Sequence, residues 1–395
     1  MRRFLVFFTF LTLLIGTGCS PGSDGGGDSD DPIVVGYITP LTGDYSALGN
    51  DNNLAVELEV ERINDEGGIL DRPVELVTRD DQSSPDQSVL AFNDLQSEDP
   101  VAIIGSAYSD SAMATLPAVE RSGIPYISPT PADEQLDPLR EEVFVVPATA
   151  SAYAARALEY FSAEGMNRVS VAYSATSYAV AGYLAMDELA ADHGIDLVAV
   201  NEYEQDTTDF GHILTSLDEE EPDALLFWGT GPPGVTFTQQ YAAVDAEVPL
   251  VLTGSQASHL WSEPAGEDAE GVTVLSSIGV VGDHLPESEQ KDVILDTVEA
   301  FSEEHGHIPP QFAMDGTSSV QLLAAAIEEA GSTEPEAIME ALESLTLVTP
   351  NGTYTYGPED HAGITTDAIS VNVFEDGEFV PVPWAMEQFT AAYGG

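Results

Sequence analysis

The stretch that decides the fold runs from Val101 to Asp133, with the sequence VAIIGSAYSDSAMATLPAVERSGIPYISPTPAD. Val101 to Ile104 and Ile124 to Ile127 lack charged residues and predict two short strands buried on both faces. Each strand is followed by a polar loop, Ser106 to Ser111 and Ser128 to Asp133. The strands of a parallel sheet end at one edge, where ligands bind in open α/β sheets. Both loops are therefore expected to border a binding site.

A helix is predicted between these two strands, with apolar side chains at helical spacing and a stop at Ser122-Gly123. Ser109, Asp110 and Ser111 precede its apolar positions, and one of them is expected to be the N-cap, because these residue types cap helix N-termini. A helix N-terminus favours an anion by about 0.3 to 1 kcal/mol. The start of this helix is therefore suited to an anionic group at the sheet edge.

The composition of the chain limits its class and its partners. Its 395 residues are 43% hydrophobic, which is enough for two cores of ordinary domain size. The 69 acidic and 10 basic residues give a net charge of -59, which excludes nucleic acid as a partner by repulsion. Apolar runs recur along the chain and argue against disorder. Such acidity is typical of a salt-loving microbe, because about 1 M salt shortens the Debye length to about 3 Å.

The N-terminal segment predicts an export signal and a tether. Met1-Arg2-Arg3 is followed by an apolar stretch from Phe4 to Ile15, which is shorter than the roughly 20 residues of a membrane span. Residues 1–19 resemble a lipoprotein signal that ends at Cys19, which would anchor the protein on the outer face of the cytoplasmic membrane. A simple cleaved signal is the alternative, and the Sec and twin-arginine export routes both stay open. Residues 20–32 predict a flexible tether.

From Ile33 onwards, predicted strands and helices alternate with a period of about 30 residues, which indicates an α/β fold. The alternation of predicted strands and helices restarts after Pro147. The prediction is two doubly wound parallel-sheet domains joined by a hinge that the chain crosses more than once. The first lobe comprises residues 33–147 plus 277–353, and the second comprises residues 148–276 plus 354–390.

Several segments together resemble one known family. They are GYITPLTGDYSALGNDNNLAVELEVERINDEGG, RPVELVTRDDQSSPDQSV, VAIIGSAYSDSA, IPYISP and DTTDFGHIL, in that order. They make the chain similar to the branched-chain amino-acid-binding family of ABC-transporter substrate-binding proteins, which has the type I periplasmic-binding-protein fold. The resemblance implies a monomer that binds an amino acid or amide in the cleft between its lobes. It also implies delivery of that ligand to ABC permease subunits.

The resemblance also assigns ligand-binding positions. Ser109 falls where the family's serine hydroxyl binds the ligand carboxylate, and Tyr178 matches a tyrosine that reaches the ligand from the second lobe. A capping, rim or core role is the alternative at most of these positions. The remaining matches are Tyr108 and Ser111 beside Ser109, and Tyr45 and Leu48 in the segment that shapes the side-chain pocket of relatives.

Two departures from the family pattern leave the chemical identity of the ligand undecided. The second loop reads Pro129-Thr130-Pro131-Ala132 where a threonine is usual, so Thr130 and Ala132 are the expected contacts there. Gln256 lies in the segment that holds, in relatives, the acid pairing with the ligand ammonium. Asp110 adds a negative charge at the loop expected to bind the carboxylate. Both charged ends of an amino acid need partners when desolvated, so an amide or another small polar ligand stays an alternative.

The sequence contains no enzyme motif. A phosphate-binding Gly-rich loop, a Gly-x-Ser-x-Gly elbow and a His-Glu-x-x-His helix are all missing. His305-Gly306-His307 predicts a surface loop rather than a metal site, and Asn351-Gly352 predicts a hairpin turn rather than a glycosylation site. We therefore expect a transport receptor without enzymatic activity, cofactor or metal. A stand-alone sensory receptor of the same fold, binding an amide or another small organic solute, is the alternative.

Overall fold

The structure is a computed structural model that describes residues 31–244 and 246–394. The predicted export signal, Cys19 and nearly all of the predicted tether lie outside the described residues. From Pro32 onwards the chain forms one compact unit. Within the described part of the chain, no helix is long and apolar enough to cross a membrane.

Five parallel strands form the first sheet. They are β1 (Ile33–Thr39), β2 (Val74–Asp80), β3 (Ala102–Ile104), β4 (Tyr126–Ser128) and β5 (Val143–Val145), in the order β2-β1-β3-β4-β5. Helices α1 (Ser46–Asp65), α2 (Pro85–Leu95) and α3 (Ser109–Ser122) follow the first three strands. The predicted strands at β3 and β4 are confirmed, and every residue in them is buried. The strand order reverses between β1 and β3, which opens a crevice at the carboxyl ends of the strands.

The second sheet begins with five further parallel strands. They are β6 (Arg168–Ser174), β7 (Asp196–Tyr203), β8 (Ala224–Trp228), β9 (Leu250–Leu252) and β10 (Thr273–Ser277). The helices of this region are α4 (Ala150–Ala163), α5 (Ser177–Leu189), α6 (Gly211–Glu220), α7 (Pro232–Ala243) and α8 (His259–Ala265). All five residues of β8 are buried, because the strand contains only apolar side chains and lies inside the sheet.

After β10, three helices return the chain to the side of the first sheet. They are α9 (Glu289–His305), α10 (Gln311–Ala330) and α11 (Pro335–Ser344). Helix α10 packs closely against α1, since a Cβ atom on Gly316 would lie 2.7 Å from the Asn52 carbonyl oxygen. The Asn52 side-chain amide donates a hydrogen bond of 2.9 Å to the Phe312 carbonyl oxygen. The start of α10 is therefore fixed against α1.

A two-stranded hairpin follows α11, formed by β11 (Thr346–Thr349) and β12 (Gly352–Thr355). The predicted turn is confirmed, although its two loop residues are Pro350 and Asn351 rather than Asn351 and Gly352. The Asn351 side chain is fully buried and donates to the Asp315 carboxylate over 2.8 Å. A buried asparagine cannot accept a glycan, so the hairpin is the correct interpretation of this motif.

The second sheet ends on an antiparallel edge. Strands β13 (Ile369–Glu375) and β14 (Glu378–Pro381) complete the order β14-β13-β10-β9-β8-β6-β7, and helix α12 (Pro383–Tyr393) follows. The predicted parallel sheet is extended here by an antiparallel edge, since β13 runs antiparallel to both of its neighbours. Asp376 and Gly377 have φ values of 53° and 89°, the left-handed conformation that a two-residue hairpin turn requires.

Three segments of the described chain connect the two sheets, after β5, after β10 and between β12 and β13. Hydrogen bonds join the first of these segments to the third. The Tyr356 hydroxyl donates to the Val145 carbonyl oxygen over 2.9 Å, and the Tyr354 hydroxyl donates to that of Val146. The region that joins the sheets is therefore a bundle of strands and turns rather than a single linker.

Candidate ligand-binding cleft

A small cavity lies where the loops at the carboxyl ends of both sheets meet. The loops after β3 and β4 line one side, and the loops after β6, β8 and β9 line the other. The starts of α4 and α10 complete its lining. The cavity has a volume of about 50 Å³. Its position between two parallel sheets is the place where ligands bind in proteins of this architecture.

Ser109 and Tyr108 line this cavity at the start of α3. Ser109 is the first residue of the helix, and Tyr108 precedes it in the capping position without a side-chain cap. The prediction that Ser109, Asp110 or Ser111 caps this helix is therefore wrong, because the helix begins one residue earlier than such a cap requires. The first turn still places unpaired backbone N–H groups and the positive end of a helix dipole beside the cavity.

Asp110 does not line the cavity, and its role as a ligand contact stays a prediction. Its Oδ1 atom accepts hydrogen bonds from the Ser177 backbone N–H, over 2.8 Å, and from the Ser177 hydroxyl. Its Oδ2 atom accepts one from the Tyr108 hydroxyl. Because Ser177 begins α5, Asp110 connects the loops of the first sheet to the helix layer of the second.

Ser111, Thr130 and Ala132 are buried and also lie outside the cavity lining, so their role as ligand contacts stays a prediction. The Thr130 hydroxyl lies 3.2 Å from the Ser128 hydroxyl instead. Pro129 and Pro131 line the cavity in its place. Adjacent side chains of an extended segment point to opposite sides. Pro129 and Pro131 therefore face the cavity, while the Thr130 side chain points away from it.

Tyr178 and Tyr153 line the cavity from the side of the second sheet. Tyr178, which the resemblance singles out, is in the first turn of α5, whereas Tyr153 in the first turn of α4 was not singled out. Gly254 lets Tyr153 approach, since a Cβ atom there would lie 2.7 Å from the tyrosine hydroxyl oxygen. Burial raises the pKa of both tyrosines, which keeps their hydroxyl groups protonated and able to donate hydrogen bonds.

Asp315 and Gln311 line the cavity from the start of α10 and were also missed by sequence reasoning. The sequence predicts a helix only from Ser318 to Ala330 in this region, because Gly316 just before it is a weak helix former, whereas α10 begins at Gln311. The available signal was an aspartate within an otherwise uncharged segment, QFAMDGTSSV. Asp315 is 4% exposed, and burial raises the pKa of its carboxyl group to about 7.

A second cavity of about 290 Å³ adjoins the first, since Ser255 and Phe312 line both. Tyr45, Leu48 and Gln256 line it. The Tyr45 ring stacks on the Tyr108 ring with a centroid distance of 3.9 Å. Burial raises the pKa of the Tyr45 hydroxyl group to about 12. The remaining lining of this second cavity is largely apolar, with Val235, Leu260 and Trp261.

No arginine, lysine or histidine is among the described residues that line either cavity. The basic side chains pair with acids elsewhere, as in Arg62–Asp296 at 2.6 Å and Arg140–Glu120 at 2.7 Å. In the described part of the chain, no cluster of histidine, cysteine or acidic residues is arranged to hold a metal ion. An anionic ligand group is therefore left with hydroxyl and backbone N–H donors.

The architecture and cleft agree with a comparison against known families. The family model described as periplasmic binding protein matches residues 32–378. This chain belongs to the periplasmic binding protein family. The predicted resemblance and the predicted type I fold are both confirmed, and the members of the family are binding proteins of the extracytoplasmic space.

Relatives of this periplasmic binding protein extend over nearly its full length. The Leu/Ile/Val-binding protein BraC3 of Rhizobium johnstonii is 26% identical over 359 residues, which cover 88% of this chain and 93% of BraC3. A type 1 periplasmic binding protein of Bordetella pertussis has a solved structure with a TM-score of 0.80 and 27% identity. That match covers 89% of this chain and all of the Bordetella chain.

A third comparison concerns the fold alone. The branched-chain amino acid transporter substrate binding protein LivJ of Streptococcus pneumoniae, solved with isoleucine, has a TM-score of 0.79 and 20% identity. The match covers 89% of this chain and 99% of LivJ. The two-sheet architecture of this periplasmic binding protein is thus the same as that of a known amino-acid receptor.

Proposed function

We propose that this protein is the solute receptor of an ABC importer that takes up a branched-chain amino acid or a similar small polar solute. It has no enzymatic activity and passes its ligand to the permease subunits. The observation that supports this proposal is the pair of adjoining cavities at the carboxyl ends of both sheets. One has polar and aromatic lining beside a helix N-terminus, and the other is largely apolar.

The two cavities suit the two halves of an amino acid. A carboxylate beside Ser109 would receive the serine hydroxyl and the N–H groups of the first turn of α3, which suits a site without a cation. An aliphatic side chain would extend past Phe312 towards Tyr45 and Leu48. Burial of each methylene group there would contribute about 0.8 kcal/mol.

Transport also requires the two halves of the protein to move. We propose that residues 33–147 plus 277–353 form one lobe and residues 148–276 plus 354–390 form the other. The lobes open about the three connecting segments to admit the ligand. The chain acts as a monomer that is tethered outside the cytoplasmic membrane by a lipid on Cys19.

A binding screen tests this function. The protein is titrated calorimetrically in molar salt with the natural amino acids, their amides and small carboxylic acids. We expect the tightest binding from leucine, isoleucine or valine, with weaker binding of polar amino acids of similar size, because the second cavity is largely apolar. Tight binding of a neutral amide and none of a free amino acid would contradict amino-acid uptake and favour a sensory receptor for amides.

A further inference from the structure

The cleft has evident partners for the carboxylate of an amino acid but not for its ammonium group. A carboxylate has the Ser109 hydroxyl and the N-terminus of α3. An ammonium group has no acid in the segment from Thr253 to Gln256, and the Gln256 amide already donates to the Gly229 carbonyl oxygen over 3.2 Å. A desolvated ammonium group without a counter-charge would cost several kcal/mol. Its partner must therefore come from another element.

Asp315 is the one carboxylate that lines the polar cavity, within the part of the chain that the structure describes. Its Oδ1 atom accepts a hydrogen bond of 3.2 Å from the Gln311 amide and one of 2.8 Å from the Asn351 amide. Its Oδ2 atom accepts no hydrogen bond from any described residue. Gln311 is itself fixed, since its Oε1 atom accepts from the Ser277 backbone N–H over 2.6 Å. Asp315 is thus oriented through one oxygen atom, while the other has no partner.

The charge of Asp315 is not balanced by the protein. No ion pair includes it among the described residues, and its titratable neighbours are the hydroxyl groups of Tyr153, Tyr178 and Tyr354. Burial raises the pKa of each of these tyrosines above its ordinary value, so all three are neutral. Burial of an unpaired carboxylate costs several kcal/mol, and this cost falls when a cation enters the same cavity.

We propose that Asp315 is the ammonium-binding residue of this cleft, which makes the ligand a small solute with an amino group close to its carboxylate. This inference rests on the proposed function and names the part of the site that distinguishes an amino acid from a carboxylic acid or an amide. The distance between the two charged groups of the ligand must be short, because Ser109 and Asp315 line one cavity of about 50 Å³. An α-amino acid meets this condition.

The alternative role for Asp315 is structural, since it joins α10 to the β11–β12 turn through Asn351. The variant Asp315→Asn separates the two roles. It keeps an oxygen acceptor for Gln311 and Asn351 and adds an amide donor. The Asn351 Oδ1 atom is buried without a partner and is available to accept from that donor. The variant is therefore expected to fold, while it removes the negative charge.

The experiment compares three probes that differ in one charged group each. They are leucine, 4-methylpentanoate, which lacks the amino group, and 3-methylbutylamine, which lacks the carboxylate. Each is titrated calorimetrically into the wild-type protein, Asp315→Asn and the control Glu59→Gln. Glu59 is also buried but lies outside both cavities, where Arg62 and Gln321 hold its carboxylate.

We expect Asp315→Asn to weaken leucine binding by roughly 30- to 1000-fold, the loss typical of one partner of a buried charged pair. Binding of 4-methylpentanoate should stay the same or improve, because a repelling charge is removed. Glu59→Gln should bind all three probes as the wild type does. Unchanged leucine binding by Asp315→Asn would overturn the proposal, and so would an equal loss of leucine and 4-methylpentanoate, which indicates a damaged cavity.

The wild-type protein decides the matter if Asp315→Asn does not fold. The proposal fails if the wild type binds 4-methylpentanoate as tightly as leucine. It is supported if leucine and 3-methylbutylamine, which both have an amino group, bind more tightly than 4-methylpentanoate. Failure of the proposed function has a different signature. If 3-methylbutylamine binds but no amino acid does, the ammonium site at Asp315 is supported and amino-acid transport is contradicted. If none of the three probes binds, both the ammonium site and the proposed function are contradicted.

Discussion

Two carboxylates at the starts of two helices, Asp110 in α3 and Asp315 in α10, show opposite arrangements around the same cleft. Asp110 is surrounded by donors, since both of its oxygen atoms accept hydrogen bonds from Ser177 and Tyr108. Asp315 accepts two hydrogen bonds on one oxygen atom only. Asp110 lies outside the cavity lining and Asp315 lies within it.

The difference shows that charge alone does not identify a ligand-binding acid. The donors around Asp110 come from both sides of the cleft, so its role is to hold the loops of the two sheets together. Those around Asp315 come from one side and fix its orientation while one oxygen atom has no partner. We therefore expect Asp110 to affect the affinity for every ligand and Asp315 to affect ligands with an amino group.

After the roughly 30- to 1000-fold loss expected for Asp315→Asn, the largest effect is expected from Asp110→Ala. This variant leaves the Ser177 N–H and the Ser177 and Tyr108 hydroxyl groups without their acceptor. These polar groups are partly buried, and leaving them unpaired costs about 1 to 3 kcal/mol, or roughly 5- to 150-fold in affinity. Calorimetry should show equal losses for leucine and 4-methylpentanoate. The exposed Asp187 on α5 provides the control Asp187→Asn, which should bind as the wild type does. A loss confined to leucine would transfer the ammonium role to Asp110.

The second effect concerns pH, because burial raises the pKa of the Asp315 carboxyl group to about 7. The carboxylate must be ionised to pair with an ammonium group. Leucine affinity should therefore be full above pH 7 and fall by up to about tenfold per pH unit below it. The nearby Tyr153, Tyr178 and Tyr354 all have raised pKa values and do not titrate in this range. Titrations between pH 5 and 8 should show the slope in the wild type and not in Asp315→Asn.

The same pKa shift acts on stability with the opposite sign. The unfolded carboxyl group has its ordinary pKa of 3.8, so between about pH 4 and 7 the folded protein binds this proton more tightly. The contribution of Asp315 to the unliganded protein is therefore present below pH 4 and is lost as the pH rises through 7. Thermal unfolding of wild type and Asp315→Asn should diverge across this window. Parallel pH profiles would show that Asp315 is not a strongly buried acid.

The smallest effect is expected from Ser109→Ala. The backbone N–H groups of α3 remain for a ligand carboxylate, so the loss of one hydroxyl donor should cost about 1 kcal/mol, or roughly fivefold in affinity. Leucine and 4-methylpentanoate should weaken alike, and 3-methylbutylamine should not change. Ser111→Ala removes a buried hydroxyl from the same turn but outside the cavity lining, and it should leave all three affinities unchanged. Equal behaviour of the two variants would place the carboxylate elsewhere.

The amino-acid sequence by itself determined most of the fold. It predicts α1 from Ser46 to Glu66, and the helix spans Ser46–Asp65; it predicts β8 at Ala224–Trp228, which is where the strand lies. Uncharged runs, helical spacing and glycine stops are local signals that depend on neighbouring residues. The same signals placed Ser109 at the start of a helix at the edge of the first sheet, which is where α3 begins.

Only the tertiary structure decided which polar groups of the cleft have partners. Asp110 receives its donor Ser177 from 67 residues away, and Asp315 receives Asn351 from 36 residues away. The antiparallel pairing of β13 with β10 is likewise a tertiary feature. So is the cavity lining, which contains Pro129 and Pro131 and not Thr130. A hydrogen-bond partner and a lining position depend on the distance and orientation of remote segments. Local sequence patterns contain neither quantity, because packing sets both when the sheets come together.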